Sequence, residues 1–475
     1  MHWLLLLAVA LLALAAASHA LLYKRDPRSS LGWIAVSLMF PVAGPLLYYL
    51  LGINRIRSRA RALHRGHRFH LDPGGALEHA SNIVVTEVAA SVIRVSDRIS
   101  RRRLVGGNHV TPLPDGDTAY PAMLDAIARA RRRIYLSTYI FQVDDAGLRF
   151  VAALAEALRR GVEVKVIIDG VGEWYALPRL VTRLLKREGI EHTRFLPPRL
   201  LPPQVYSNLR THRKLLIIDG GQAFLGGMNI DARNLTAAGG SAPRAHDLHF
   251  QVTGEVAAHL ERVFLEDWGF CTGRRDILPT PPHKRLPPAR QSGAAVCRAI
   301  VDGPNEEVRK LTTILVAAFS SARRRIGIMT PYFLPPREIV VALQGAALRG
   351  VDVSVVLPAR NNLPIVHWAT RNMLWELVER DVHVCYQPPP FAHTKLVLID
   401  DDYAQIGSAN LDTRSLRLNF ELALEVLDTD FVGGLWQHLD AARRDGREIT
   451  LDELDGRPLP GRIRDALAWL CTPYL

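Results

Sequence analysis

The sequence predicts an α/β protein made of two pseudo-twofold-related lobes, each with a mixed, largely parallel sheet flanked by helices, plus an N-terminal pair of transmembrane helices. Three observations lead there. A nine-residue stretch occurs twice with one internal spacing, the same order of strand and helix patterns precedes each copy, and two long apolar runs fill the first 53 residues.

The apolar runs extend from Trp3 to Tyr23 and from Leu31 to Ile53, and residues 1–54 are read as two membrane-embedded helices. A cleaved signal peptide is the competing reading of the first run, with Ser18-His19-Ala20 as its small-residue site. The missing basic n-region and the second run directly behind it favour retention. Pro41 and Pro45 imply a kinked helix or a re-entrant hairpin, and Trp33, Tyr48 and Tyr49 suit the interface. Arg55, Arg57, Arg59, Arg61, Arg65 and Arg68 then form a basic collar stronger than the short loop between the runs. The positive-inside rule places that collar, and the catalytic domain after it, in the cytoplasm, with the chain multi-pass.

A net charge of +12 and a pI near 9.8 favour anionic partners, either nucleic acid or anionic lipid. The apolar N-terminus decides for lipid. Cys271, Cys297, Cys385 and Cys471 lack metal-type spacing and fit a reduced compartment.

Residues 55–106 read as a basic juxtamembrane linker and helix, with an apolar rhythm at Ile83, Val84, Val88, Val92 and Val95; Arg101 to Arg103 are a solvated helix end or a headgroup contact. Residues 107–272 form the first lobe. Tyr120 to Ala130 reads as helix, Arg133 to Tyr139 as strand, Leu148 to Arg160 as helix and Val162 to Ile168 as strand. The phrases return at Ala322 to Met329 and Ala347 to Val353, so the lobe is duplicated in residues 297–475, which end in a C-terminal helix. Residues 273–296, with Pro279, Pro281, Pro282, Pro287 and Pro288, are the surface linker between them. The arginine triplets 131–133 and 323–325 are expected to be dipole-compatible helix ends. The stretch from Ile463, with Leu467, Trp469, Leu470 and Tyr474, is expected to pack on the catalytic domain; grazing the bilayer is the other reading.

The repeated stretch is Thr211 to Asp219, followed by Gly226-Gly227-Met228-Asn229, and Ala392 to Asp400, followed by Gly407-Ser408-Ala409-Asn410. Each copy is an apolar strand ended by a turn. Alternation puts His212 with Lys214 on one face, and His393 with Lys395. Asp219 and Asp400 lie at an odd offset, on the other face or in the turn, and are poor partners for their own His. A single copy could be a core strand with a stray His; two copies leave coincidence uncompetitive.

Facing lobes would bring two imidazoles and two ammonium groups, with Asn229 and Asn410, into one cleft. A phosphodiester needs a nucleophile, cationic or donor groups for its oxygens and an acid for the leaving alkoxide. This set supplies them. Asp247 and Glu421, comparably downstream of the two Asn, are the candidates to fix the imidazole tautomers. His246 and His249 could suggest a metal, which two ammonium groups in the cleft oppose. No Walker loop or dinucleotide fingerprint is present, so no cofactor and no nucleotide is expected.

The paired His-x-Lys-x4-Asp-x6-Gly-(Gly/Ser)-x-Asn motifs resemble those of the phospholipase D superfamily, so the lobes are expected to be phospholipase D-like. The wider chain is similar to bacterial cardiolipin synthases at Lys24 to Pro27, Tyr120 to Leu124, Phe264 to Trp268, Thr330 to Phe333 and Gly407 to Ser415. One departure is Ala245-His246, where relatives tend to have Trp-Arg before the acid. The resemblance implies conversion of two phosphatidylglycerol molecules to cardiolipin and glycerol at the bacterial inner membrane, without metal or nucleotide. It implies His212 as nucleophile and His393 as general acid, with Lys214, Lys395, Asn229 and Asn410 on the phosphate. The catalytic set is thus His212, Lys214, Asp219, His393, Lys395 and Asp400, supported by Asn229, Asn410, Asp247 and Glu421. Expected partners are phosphatidylglycerol, other anionic phospholipids and the membrane, with no nucleic acid. A hydrolase using water, a membrane-tethered nuclease and a non-catalytic scaffold remain open. Phosphatidylethanolamine as donor is open too.

Overall fold

A computed structural model describes residues 2–24, 27–52, 86–100, 102–198, 209–236, 244–274, 293–303 and 309–472. The collar arginines from Arg55 to Arg68, Ile83, Val84, Arg101, the linker prolines and Tyr474 lie outside the described residues. The chain divides into an N-terminal unit, described over residues 2–52, and a catalytic unit, described from residue 86 onward.

In the N-terminal unit, His2–Tyr23 is one uninterrupted helix of 22 residues. At about 1.5 Å per residue it is long enough for a bilayer core. The second apolar run is interrupted at Pro41. It forms the helix Pro27–Met39 of 13 residues, a break at 40–42, a five-residue helix Ala43–Leu47 and a π-helical turn Tyr48–Gly52. Pro41 cannot continue the ladder, and Gly44 approaches the preceding turn so closely that a Cβ would lie 2.2 Å from the Val36 carbonyl oxygen. Among the described residues one helix, not two, is long and apolar enough to cross a membrane. Within this unit His19 Nδ1 meets the Tyr48 hydroxyl at 2.8 Å, and Ser30 Oγ donates to the Ala20 carbonyl at 3.1 Å.

The catalytic unit is organised on one 15-stranded sheet. The first lobe contributes β1 (Val105–Pro114), β2 (Arg133–Thr138), β3 (Glu163–Asp169), β4 (Glu191–Phe195), β5 (Leu215–Ile218), β6 (Gln222–Gly226), β7 (Ala245–His246) and β8 (Leu248–Thr253). The second contributes β9 (Ala295–Asp302), β10 (Arg325–Met329), β11 (Phe333–Leu334), β12 (Asp352–Pro358), β13 (His383–Gln387), β14 (Phe391–Ala392), β15 (Leu396–Ile399), β16 (Tyr403–Gly407), β17 (Leu411–Asp412), β18 (Glu421–Leu427) and β19 (Arg447–Glu448). The sheet order is β19-β13-β12-β10-β15-β16-β18-β9-β1-β8-β6-β5-β2-β3-β4, and β7–β14 and β11–β17 pair separately.

Read outward from the central β1–β9 pair, the two halves carry the same sequence of strands as far as β4 and β13, with β19 added at the second lobe's edge, which is the pseudo-twofold axis in hydrogen bonds. Asn108, fully buried, locks that joint: its side-chain NH2 donates to the Val105 and Ala295 carbonyls, and its Oδ1 accepts from Val256 N–H.

The sheet is mixed, but the expectation that it is largely parallel is corrected. Only β2–β3–β4 and β10–β12–β13 run parallel, because only in these runs are strands that neighbour each other in the sheet joined through helices. The motif strands β5 and β15 lead through tight turns into β6 and β16, and a tight turn forces antiparallel pairing. Each lobe has its own apolar core, one around Phe150, Leu154 and Val166, the other around Ile314, Leu343 and Val355.

The helix Glu87–Ser100 belongs to the second core rather than to a linker. Val88, Ala89, Val92 and Ile93 are buried there on one helical stripe. Arg298, fully buried on β9, pairs with Asp97 of that helix at 2.5 Å and with Glu425 of β18 at 2.9 Å.

Candidate active site

The motif segments are held by the opposite lobe. His212 N–H donates to the Phe420 carbonyl at 2.9 Å, and His393 N–H donates to the His246 carbonyl at 2.7 Å. Phe420 and His246 immediately precede Glu421 and Asp247. Each backbone contact therefore delivers an acid to the histidine of the other lobe. His212 Nδ1 lies 3.1 Å from Glu421 Oε2, and His393 Nδ1 lies 2.8 Å from Asp247 Oδ2.

The motif glycines permit this approach. Gly226 and Gly407 have φ of +152° and +146°, and a Cβ at Gly407 would stand 2.2 Å from the Leu422 carbonyl oxygen. The next position differs between lobes. At Gly227 a Cβ would fall 2.4 Å from an Asp247 oxygen, whereas Ser408 uses its hydroxyl to donate to Glu421 Oε2 at 2.6 Å. A shorter acid needs the glycine, and the longer one accepts the serine.

The two imidazoles are not equivalent. His212 Nδ1 sits between two acceptors, Glu421 Oε2 and the Ser408 carbonyl at 3.0 Å. That pair holds the proton on Nδ1 and leaves Nε2 with its lone pair. His393 Nδ1 sits between the Asp247 acceptor and the Lys395 ammonium at 3.0 Å. Lys214 Nζ donates to the His212 carbonyl at 2.7 Å, and Lys395 Nζ likewise to the His393 carbonyl.

Burial sets the electrostatics. It lowers the His212 pKa against the opposing pull of Glu421, and with the Lys395 and Lys214 charges it holds His393 well below the usual imidazole value. Burial brings Lys395 down to about 8 and takes Lys214 well below the ordinary ammonium value. It lifts Asp247 to about 6, while Glu421, despite the same burial, is kept below its usual value by His212, Lys214 and Ser408. The Lys395 charge helps to lower the pKa of His212, and Lys214 and His212 help to lower that of His393, so each half-site feels the charge of the other. Two desolvated ammonium groups beside two imidazoles favour an anion between them.

A family described as "Cardiolipin synthase, PLD-like domain" matches residues 123–268 and 315–443. The cardiolipin synthase of Geobacillus kaustophilus (strain HTA426) is 31% identical over 461 residues, 96% of this chain and 90% of that one. The chain belongs to the phospholipase D-like cardiolipin synthase family. Cardiolipin synthase A of Pseudomonas entomophila (strain L48) is 33% identical over 98% of this chain and 96% of its own. A second family, "Phospholipase_D-nuclease N-terminal", matches residues 11–52. The phosphatidylserine synthase of Haemophilus influenzae Rd KW20 shares the fold, with a TM-score of 0.63 over 81% of this chain and all of that one, at 15% identity.

Two members of the expected catalytic set lie elsewhere, and their assignment is corrected. Asp219, at φ +55°, accepts from the backbone N–H groups of Arg131, Arg132 and Arg133 at 2.8–2.9 Å. Asp400, at φ +48°, does the same for Arg323, Arg324 and Arg325. These carboxylates seat the start of β2 and β10 through the amides of the two arginine triplets, whose side chains also bond: Arg133 donates to Glu261 at 2.9 Å and Arg325 to Asp401 at 2.9 Å. Asn229 Oδ1 accepts from Ile140 N–H at 3.1 Å, which leaves its NH2 as the donor end; Asn410 donates to Ser415 Oγ at 3.3 Å.

Other groups around the site had no signal in the spacing. Arg213, buried between the motif His and Lys, pairs with Asp267 at 2.5 Å and donates to the Glu421 carbonyl at 3.1 Å. Thr394 occupies that position in the second copy. Asp115 accepts from Asp247 N–H at 3.0 Å and pairs with His246 at 2.9 Å, so the Ala245-His246 departure is absorbed into a clamp on Asp247. His249 is buried beside it, its pKa lowered to about 4 by that burial. The Tyr139 and Tyr332 rings stand edge-on to His212 and His393, at 5.6 and 6.4 Å between centroids. Among the described residues no group of three His, Cys, Asp or Glu side chains is placed to hold a metal ion.

Proposed function

We propose that this chain is a membrane-bound phosphatidyltransferase that converts two phosphatidylglycerol molecules into cardiolipin and glycerol through a phosphohistidine on His212. The observation that carries the reading is the reciprocal bracing of His212 by Glu421 and of His393 by Asp247, and it supports one imidazole from each lobe serving the same phosphate.

The first half begins with Nε2 of neutral His212 attacking phosphorus. The P–O bond to the leaving glycerol breaks, and His393, held protonated once the bound phosphodiester anion offsets the Lys395 and Lys214 charges, protonates that oxygen, releasing glycerol. Lys214 and Lys395 stabilise the charge on the non-bridging oxygens, and the phosphate anion in turn favours their charged forms. Asn229 and Asn410 are assigned to the same phosphate. In the second half His393, now neutral, takes the proton from a hydroxyl of a second phosphatidylglycerol. That oxygen displaces His212 from phosphorus, giving cardiolipin. Two displacements retain configuration, and exchange of one diester for another needs no nucleotide.

The assignment of His212 as nucleophile rests on its two Nδ1 acceptors, which fix the reactive tautomer; His393, between an acceptor and a cation, suits the group that changes protonation. The arginines from Arg55 to Arg68 support a cytoplasmic catalytic unit. The broken second segment is then a kinked or re-entrant passage. Metal, nucleotide and nucleic acid have no place in this scheme.

The test is product analysis with labelled phosphatidylglycerol and the purified full chain in vesicles. Cardiolipin with equimolar glycerol is expected. Phosphatidic acid without cardiolipin would make the chain a hydrolase and end the synthase reading.

A further inference from the structure

The helix Leu459–Leu470 turns its apolar side outward. Leu459, Ile463, Leu467 and Leu470 recur at four- and three-residue steps, which places them on one stripe, and all four are exposed, Leu459 and Leu470 by about two-thirds. The inward side carries Ala468 and the fully buried Asp465. Asp465 pairs with Arg371 at 3.0 Å, Arg457 at 2.6 Å and Arg464 at 2.7 Å. A helix covering a water-soluble surface has the opposite polarity. The helix's own exposed charges are Arg462 and Arg464, both basic.

This stripe leads to the reacting groups. The helix packs along Pro364–Met373, whose approach exposes Leu363 and Ile365. Neighbouring Asn362 accepts from the Tyr332 hydroxyl at 2.8 Å, and Tyr332 packs on His393. The first lobe repeats the arrangement: Trp174 and Tyr175 are exposed after β3, Tyr175 packs on Tyr139 at 6.1 Å, and Tyr139 packs on His212. Each histidine is therefore linked through one tyrosine to an exposed apolar shoulder.

We propose that this face, centred on the helix Leu459–Leu470, is where the catalytic unit docks on an anionic bilayer. The helix lies in the headgroup layer with its stripe among the acyl chains and Arg462 at the phosphates. Phospholipid then passes into the cleft between the two shoulders. The inference rests on the reading that the substrate is a bilayer phospholipid. That substrate, and the exclusively basic exposed charge of the helix, select a lipid surface over a second copy of the chain.

The test uses the full chain in phosphatidylglycerol/phosphatidylethanolamine vesicles. With Cys271→Ser/Cys471→Ser as background, Ile463→Cys carries an environment-sensitive fluorophore. Quenching by lipids bearing a nitroxide high on the acyl chain is expected, independent of protein density. Ile463→Glu/Leu467→Glu, at sites already facing out, should retain the melting temperature, lose about tenfold in turnover on vesicles and keep turnover on dispersed short-chain phosphatidylglycerol. An unquenched label, or equal loss on both substrates, would overturn the proposal. Self-quenching that tracks protein density would overturn it in favour of a contact between copies. If the unaltered chain makes no cardiolipin, the catalytic reading fails while the quenching result still decides the docking.

Discussion

Nδ1 of His212 stands 3.1 Å from Oε2 of Glu421, a residue 209 positions later in the chain and in the other lobe. His393 and Asp247 make the mirror-image contact at 2.8 Å. Each imidazole takes its carboxylate from the other lobe. Glu421→Gln and Asp247→Asn should each lower kcat/KM by about 10²–10⁴-fold, because an amide can hold the wrong tautomer, with the fold intact by circular dichroism. Wild-type turnover in either variant would show that the exchange of acids between lobes is incidental.

The pH profile should be bell-shaped. Below about 6 Asp247 gains a proton and His393 loses its carboxylate; above about 8 Lys395 loses the charge that meets the phosphate. Activity therefore falls on both sides of a window between these values. In Glu421→Gln, whose residual activity still relies on Asp247, the acid limb should persist; in Asp247→Asn it should vanish. A flat profile from 5 to 9 would contradict these environments.

Asp219→Ala and Asp400→Ala should act on stability rather than chemistry. Each removes a carboxylate shared by three amides and puts alanine at positive φ, at a cost of about 1–3 kcal/mol. The measurement is a denaturant melt beside turnover per folded molecule. A large loss of kcat with unchanged stability would return these residues to the catalytic set.

Arg298→Met should leave Glu425 as a buried carboxylate without its cation and the half-buried Asp97 unpaired, and destabilise the catalytic unit by about 3–5 kcal/mol. Arg298→Met/Glu425→Gln should recover part of that in thermal unfolding. Equal melting temperatures for wild type and Arg298→Met would show that the pair does not hold the Glu87–Ser100 helix.

Much of this was legible in the residues because duplication repeats its own spacing. His212, Lys214, His393 and Lys395 stand out since two copies keep one register, and Asp247 and Glu421 follow from their distance past Asn229 and Asn410. Which acid serves which histidine is a property of the β7–β14 and Thr211–Phe420 contacts between lobes, and no local pattern encodes it. Strand direction was misread for a related reason: apolar runs such as Leu215–Ile218 look alike in parallel and antiparallel ladders, and only the tight turn after Asp219 distinguishes them. Asp219 itself belongs to the motif by spacing, yet its work is to receive amides from an arginine triplet 86 to 88 residues earlier. The outward stripe of Leu459–Leu470 reads in sequence as an ordinary amphipathic helix; which side is covered depends on Asp465 finding Arg371.

The central claim is that one imidazole from each lobe serves a single phosphorus, and acid-free quenching of the full chain during turnover of phosphatidylglycerol labelled at phosphorus tests it most directly. Peptide mapping should find label on His212, absent in His212→Ala and accumulating in His393→Ala supplied with a substrate whose leaving group needs no proton. Label on both histidines independently, or turnover surviving the loss of either one, would mean two separate sites and would contradict the account.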